Sequence, residues 1–198
     1  MLVLTPHQRE LIQDLADAGV QYVVVGGKAM QAHGLERASL DLDLWVSPDV
    51  ANAERLLPLL VRRVTDPVNI TTSWLAQLDR KVVLRGPQEG DESEVLTSMH
   101  DLDFGGAYSR SRRLCIEGLD IVVASIEDLA HIKQLNIDAG QDAGLNARDR
   151  ADFCMLEDLA GHDPGGEMSE VDVSREPSDA ELVQSLDENE RRALGFIA

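Results

Sequence analysis

Residues 40–46 read Leu-Asp-Leu-Asp-Leu-Trp-Val, and this run constrains the fold more than any other. Alternation of apolar and acidic residues is the pattern of a β-strand, whose successive side chains point to opposite faces. Leu40, Leu42, Leu44 and Val46 then share one face. Asp41 and Asp43 share the other, roughly 6.5–7 Å apart at Cα from the strand rise. A carboxylate left unpartnered in a buried element is costly, so something positive is expected to meet the pair.

Upstream, Gly26-Gly27 follow the apolar strand Tyr22–Val25 and precede a short helix read over Lys28–His33. Glycine at such a strand–helix turn lets backbone N–H groups approach a phosphate, and a helix N-terminus favours an anion. Two carboxylates on one strand face hold hard divalent cations through oxygen, with phosphate oxygens and water completing the shell. Two such metals about 3.5–4 Å apart clamp the entering and leaving oxygens of a phosphoryl transfer. At this acid content about six acid-x-acid matches arise by chance, so Asp41/Asp43 gains its meaning from the strand and the glycines around it. Asp101/Asp103 has no such context and is read as a solvated loop.

The remaining chain alternates helices and strands. A first helix is expected from Thr5 as N-cap and Pro6 at N1, with Leu11, Ile12 and Leu15 as its apolar stripe. Ser47 is read as the cap of a helix running to Arg63, with Pro58 able to kink or shorten it. Strands are expected at Lys81–Arg85 and Ser93–Thr97, then a short helix near Phe104–Tyr108. RLCIEGLDIVV reads as a hairpin turning at Glu117-Gly118. Ser125 and Asp128 have capping-box spacing and open a helix through Asn136. NIDAGQDAGLNA reads as loop, and a last body helix runs from about Ala147 to Ala160.

With 198 residues and a net charge of −18, the chain should not coat itself on nucleic acid non-specifically. Residues 161–198 hold ten acids and three bases. The expected organisation is one domain over 1–160, a flexible acidic linker over 161–177 and a short helix within 178–198. That helix, with Leu182, Val183 and Leu186, would pack on its own domain, stay mobile or dock a partner. Cys115 and Cys154 are too few for a disulfide framework, and no apolar run is long enough for a bilayer, so a cytoplasmic protein is expected. Arg62–Arg63 and Arg110–Arg112–Arg113 are the basic clusters of the body; three lysines against fifteen arginines carry no functional reading. The five histidines lack metal-ligand spacing.

Gly-Gly, thirteen residues, then Asp-x-Asp on a strand resembles the signature of the nucleotidyltransferase superfold, that of DNA polymerase beta and the tRNA-adding enzymes. More narrowly, GGKAMQAHG followed by Arg37, Ser39, Asp41 and Asp43 is similar to minimal bacterial and archaeal nucleotidyltransferases that include abortive-infection toxins. SEVLTSMHDLDF, IEGLDIVVASIEDLAHIK and ARDRADFCMLEDL fit in order, so the similarity spans roughly residues 8–160.

The resemblance implies an α/β (α+β) fold with a mixed β-sheet flanked by helices, a nucleoside triphosphate such as ATP as substrate, and two Mg²⁺ ions. Gly26 and Gly27 match triphosphate-holding glycines, and Asp41 and Asp43 match metal ligands. Glu94, in Glu94-Val95-Leu96-Thr97, takes the place of the third carboxylate, where many relatives carry aspartate. Asp120, before Ile121-Val122-Val123, is the rival. Arg37 and Ser39 match an Arg-x-Ser/Thr that contacts phosphate or fixes the turn. Lys28 follows the glycines as a further phosphate candidate. Lys133 matches a family lysine, with Asp149 and Asp152 as its acid-x-x-acid, for phosphate or for a structural ion pair. The implied activity is transfer of a nucleoside monophosphate to an acceptor hydroxyl, with an RNA or tRNA 3′ end and an antitoxin-like partner fitting the toxin-type relatives. The alternative is a catalytically silent nucleotide-binding or interaction module on the same fold.

Overall fold

The computed structural model of the chain describes residues 2–64, 67–88, 91–140 and 143–161. The expected linker, apart from Gly161, and the expected helix within 178–198 lie outside the described residues.

Helix α1, Pro6–Asp17, begins as the sequence dictates: the Thr5 hydroxyl accepts from the Gln8 N–H, the Gln8 side chain accepts from the Thr5 N–H, and Pro6 occupies the first turn. The Gln8 amide also donates to the carbonyls of Leu40 (2.8 Å) and Glu92 (3.2 Å), so the buried start of α1 pins two strand entrances. Strand β1, Tyr22–Val25, leads into α2, Gly26–Ala32, then β2, Leu42–Val46, and α3, Val50–Val61. A single turn, α4, Thr72–Leu75, precedes β3, Lys81–Leu84, and β4, Ser93–Leu96. The rest comprises α5, Phe104–Arg110; β5, Arg112–Ile116; β6, Leu119–Val123; α6, Ile126–Asp138; and α7, Ala143–Gly161.

The six strands form one mixed sheet in the order β3-β4-β2-β1-β6-β5. Pairs β2/β4 and β1/β6 are parallel; β1/β2, β3/β4 and β5/β6 are antiparallel. All four residues of β1 are buried, as are Leu42, Leu44, Trp45 and Val46 of β2, so both faces of the central strands are covered. On one face Trp45 meets Phe104 of α5 edge-on at 5.3 Å. The β5/β6 hairpin turns at Glu117 (φ 51°) and Gly118 (φ 77°), the backbone of a tight primed turn.

Several expected boundaries move. Pairing of β2 with β4 begins at Leu42, whose N–H donates to Glu92 O, so Leu40 and Asp41 precede the strand and Leu40 is 66% exposed. The cap of α3 is Asp49, not Ser47: Asp49 accepts from the Asn52 N–H, while the Ser47 hydroxyl donates to the Asp49 carboxylate. Pro58 is accommodated and α3 continues to Val61. Helix α2 starts two residues before Lys28, at Gly26. Helix α7 begins at Ala143, inside the stretch read as loop. The Ser125 cap behaves as expected, accepting from the Asp128 N–H at 3.0 Å, although its helix runs two residues beyond Asn136. Cys115 and Cys154 are exposed free thiols.

Candidate active site

Three strands place the acidic residues. In the register of β1 against β2, Asp43 lies opposite Val25, the last residue before the glycines. In that of β2 against β4, Asp43 lies beside Glu94. Adjacent partners on parallel strands project to the same face, so these two carboxylates share one surface at the end of β1. Asp41, two residues earlier and just outside the strand, is exposed.

Gly26 is required here for two reasons. Its φ of +66° belongs to the left-handed region, and a Cβ on it would overlap Asp43 Oδ2 and lie 3.2 Å from the carboxyl carbon. A Cβ on Gly27 would lie 2.6 Å from the Ser39 side chain. The two glycines therefore give Asp43 and Ser39 the space to approach bare backbone. Ser39 Oγ itself donates to Asp41 O at 3.4 Å.

Asp43 makes no side-chain hydrogen bond or ion pair among the described residues. Burial pushes its carboxyl pKa up to about 6, with the charges of Glu94 and Asp41 adding to the effect and those of Lys81 and Lys133 opposing it. Asp43 also lines a cavity of about 170 Å³ with Val25, Gly26, Leu96, Leu129 and Lys133. Carboxylate oxygens are the ligands hard cations take, and a half-buried carboxylate with like-charged neighbours and no partner fits a divalent ion. Asp43 and Glu94, neighbours on one face, are the pair placed to hold it, with Asp41 as the third carboxylate of the group. Among the described residues, no three Asp, Glu, His or Cys side chains converge in cation-ligating geometry.

Glu94 has another partner: Lys81 Nζ lies 2.6 Å from its Oε1. Lys81 was not among the candidates read from the sequence. The available signal was its rarity, since Lys28, Lys81 and Lys133 are the chain's three lysines and all three border the acidic group. Lys133, on α6, binds two acids of α7, Asp149 Oδ1 and Asp152 Oδ2, each at 2.7 Å. Arg37 Nε reaches the other oxygen of Asp152 at 2.6 Å. Two cations and two carboxylates thus form a buried chain beside the cavity.

Lys28 lies differently from a residue facing phosphate. It is 4% exposed and donates to Val3 O at 2.6 Å; burial lowers its ammonium pKa, and Asp41 opposes the shift. Asp120 sits at the start of β6. The Val24–Val123 register puts it four residues, about 13 Å, along the sheet from the level of Asp43. The geometry brings Glu94 to Asp43 and leaves Asp120 at the opposite end. The Arg110 cluster is committed too: Arg110 binds Asp128 through two hydrogen bonds, and Arg113 stacks on and bonds to Tyr108. His33 Nε2 donates to Ala124 O (2.7 Å), a packing role.

No protein-family model matches the sequence, and no curated protein matches it. Solved structures do. A protein from Thermotoga maritima assigned as a nucleotidyltransferase superposes with a TM-score of 0.51 at 16% identity, covering 70% of this chain and 91% of that one. An antigenic nucleotidyltransferase-like protein from Paracoccidioides brasiliensis gives 0.49 at 20%, covering 76% and 73%. The antibiotic-resistance factor ANT(2'')-Ia gives 0.49 at 15%, covering 78% and 89%. At these identities the likeness is one of fold, and the first of the three carries it.

Proposed function

We propose that this chain, which has the nucleotidyltransferase fold, is a metal-dependent enzyme that moves a nucleoside monophosphate from a nucleoside triphosphate to an acceptor hydroxyl. The observation that carries the reading is the side-by-side pairing of Asp43 with Glu94, with Gly26 packed against the Asp43 carboxylate.

On this reading the acceptor oxygen attacks the α-phosphorus, the bond to the bridging oxygen of the β-phosphate breaks, and pyrophosphate leaves. Bound Mg²⁺ supplies Lewis-acid stabilisation of the charge on the transferring phosphoryl group. Asp41 and Asp43 would hold the ions, and Glu94 would bind one of them or accept the proton of the acceptor hydroxyl. Gly26, on the rim of the same cavity as Lys133, would let the polyphosphate approach the start of α2, with Gly27 buried behind Ser39, and Lys133 would add positive charge while holding Asp149 and Asp152. Arg37 holds Lys133 indirectly, through Asp152. The acceptor proposed first is an RNA or tRNA 3′ hydroxyl, with an antitoxin-like protein as regulator, on the resemblance of GGKAMQAHG and its downstream Asp-x-Asp to toxin-type enzymes.

A second reading, a silent module, draws on the same residues: Glu94 and Lys133 already have partners of opposite charge. The two readings separate in one experiment. Purified protein is incubated with Mg²⁺, each α-labelled nucleoside triphosphate in turn and total cellular RNA, with an Asp41→Ala/Asp43→Ala control. Label in RNA from wild type alone supports the enzyme and names base and acceptor. Absence of pyrophosphate release with RNA, protein and small-molecule acceptors favours the silent module.

A further inference from the structure

The Lys81–Glu94 pair sits where a cation would have to bind. Strand β3 is an edge of the sheet, and Val83 is the direct neighbour of Glu94 on β4. Lys81, two residues before Val83, reaches Glu94 diagonally on the same face. Lys81, Glu94 and Asp43 therefore form a row across β3, β4 and β2. Lys81 is the ion-pair partner of Glu94 among the described residues, and its charge also counts against that of Asp43.

The side chain of Lys81 is 51% exposed and that of Glu94 28%. An ammonium at an open sheet edge moves into water at little cost, because pairs this exposed are weak and salt-screened. Lysine suits such a role better than arginine: it is a compact point charge on a flexible stem, without a planar fork to lock onto a carboxylate. Asp43, by contrast, has no ion pair among the described residues, so the acid left to be neutralised is the one beside the occupied one.

We propose that Lys81 is an exchangeable counter-ion: its ammonium holds Glu94 while no divalent cation is bound and leaves when the cation takes that carboxylate. The proposal rests on reading Asp43 and Glu94 as cation ligands. Cation and ammonium then compete for one group, and the affinity of the site is set partly by a residue that is not a ligand. The step is an exchange of ionic partners, with no bond made or broken.

The test is direct Mn²⁺ binding, by calorimetry and by the electron paramagnetic resonance of unbound Mn²⁺, at low salt without nucleotide. The proteins are wild type, Lys81→Met, Lys81→Arg, Glu94→Gln, Lys81→Met/Glu94→Gln and Asp43→Asn, each with its urea midpoint as a check of folding. Lys81→Met should bind Mn²⁺ roughly two- to fivefold tighter than wild type, the range an exposed pair commands. Lys81→Arg should bind more weakly than wild type, because its fork grips Glu94 more firmly. In the Glu94→Gln background, Lys81→Met should give a clearly smaller gain, because only the field of Lys81 on Asp43 is then removed. An equal gain with and without Glu94, or Lys81→Arg matching wild type, would overturn the exchange in favour of a general field effect. Wild-type binding that Asp43→Asn abolishes but Lys81→Met leaves unchanged overturns the exchange alone. Mn²⁺ binding that ignores Asp43, or no binding by any variant, overturns the cation-site reading and the exchange with it.

Discussion

Asp43 Oδ2 lies over Gly26, 2.2 Å from the point a β-carbon would occupy. A β-carbon at residue 26 would strain the backbone and force the Asp43 carboxylate to shift. Gly26→Ala should lower transfer by about a hundredfold, the scale of an ångström-sized displacement of a catalytic group. It should also cost about 1–2 kcal/mol of stability through the left-handed φ. Paired measurements of turnover and urea midpoint check this; unchanged turnover would show that Asp43 does not need its present position.

The buried Asp43 carboxyl makes a prediction about pH. Its pKa rises from 3.8 in the unfolded chain to about 6 in the fold. Between those values the folded protein binds more protons than the unfolded one, so stability falls as pH rises from about 4 to about 6. At neutral pH the penalty from this group is up to about 3 kcal/mol at 1.36 kcal/mol per pKa unit. Cation-free Asp43→Asn should therefore be more stable than wild type at pH 7.5, with the gap closing near pH 4. Millimolar Mn²⁺ should stabilise wild type and not the variant. Urea titrations at both pH values, with and without Mn²⁺, measure all four quantities.

Glu94 and Asp120 lie at opposite ends of the sheet, and the proposed reaction distinguishes them. Glu94→Gln should lower transfer at least about a hundredfold, as loss of a group that stabilises transition-state charge does. Asp120→Asn, at the other end of the sheet, should stay within about threefold of wild type, with Asp41→Ala and Asp43→Ala as the inactive references. The reverse ranking would relocate the third carboxylate to the hairpin.

Asp152 accepts from two cations that are themselves nearly buried: its side chain is 2% exposed, that of Lys133 11% and that of Arg37 14%. Replacing it with asparagine leaves excess positive charge without a full counter-ion. The expected cost is about 3–5 kcal/mol, the range for removing one partner of a buried ion pair. Thermal and urea unfolding of Asp152→Asn give the value, and a cost below about 1 kcal/mol would mean that the network is solvated.

The parts of this architecture that sequence reading reaches are those with local causes. Period-two alternation marks β2, Gly-Gly marks the turn before α2, and Glu117-Gly118 marks the hairpin, because each needs only neighbouring residues. The start of α7 escapes because its first residues, Ala143-Gly144-Leu145-Asn146, carry the glycine and asparagine by which a loop is read. Ser47 and Asp49 are both good caps two residues apart, and the hydrogen bond between them decides which one opens α3. The one-turn α4, capped by Thr71, is too short to show a period. Lys81 escapes for another reason: its tie to Glu94 depends on the register of β3 against β4, which no local pattern encodes.

The lysine economy of the chain has a practical consequence. Lys28 is 4% exposed and Lys133 9%, in a chain with three lysines against fifteen arginines. An acylating or reductively alkylating reagent that seeks ε-amines therefore meets one accessible target, Lys81, at the rim of the acidic row. Amine chemistry run at a pH that favours ε-amines over the α-amine would carry a fluorophore or crosslinker to this rim without the introduction of a cysteine.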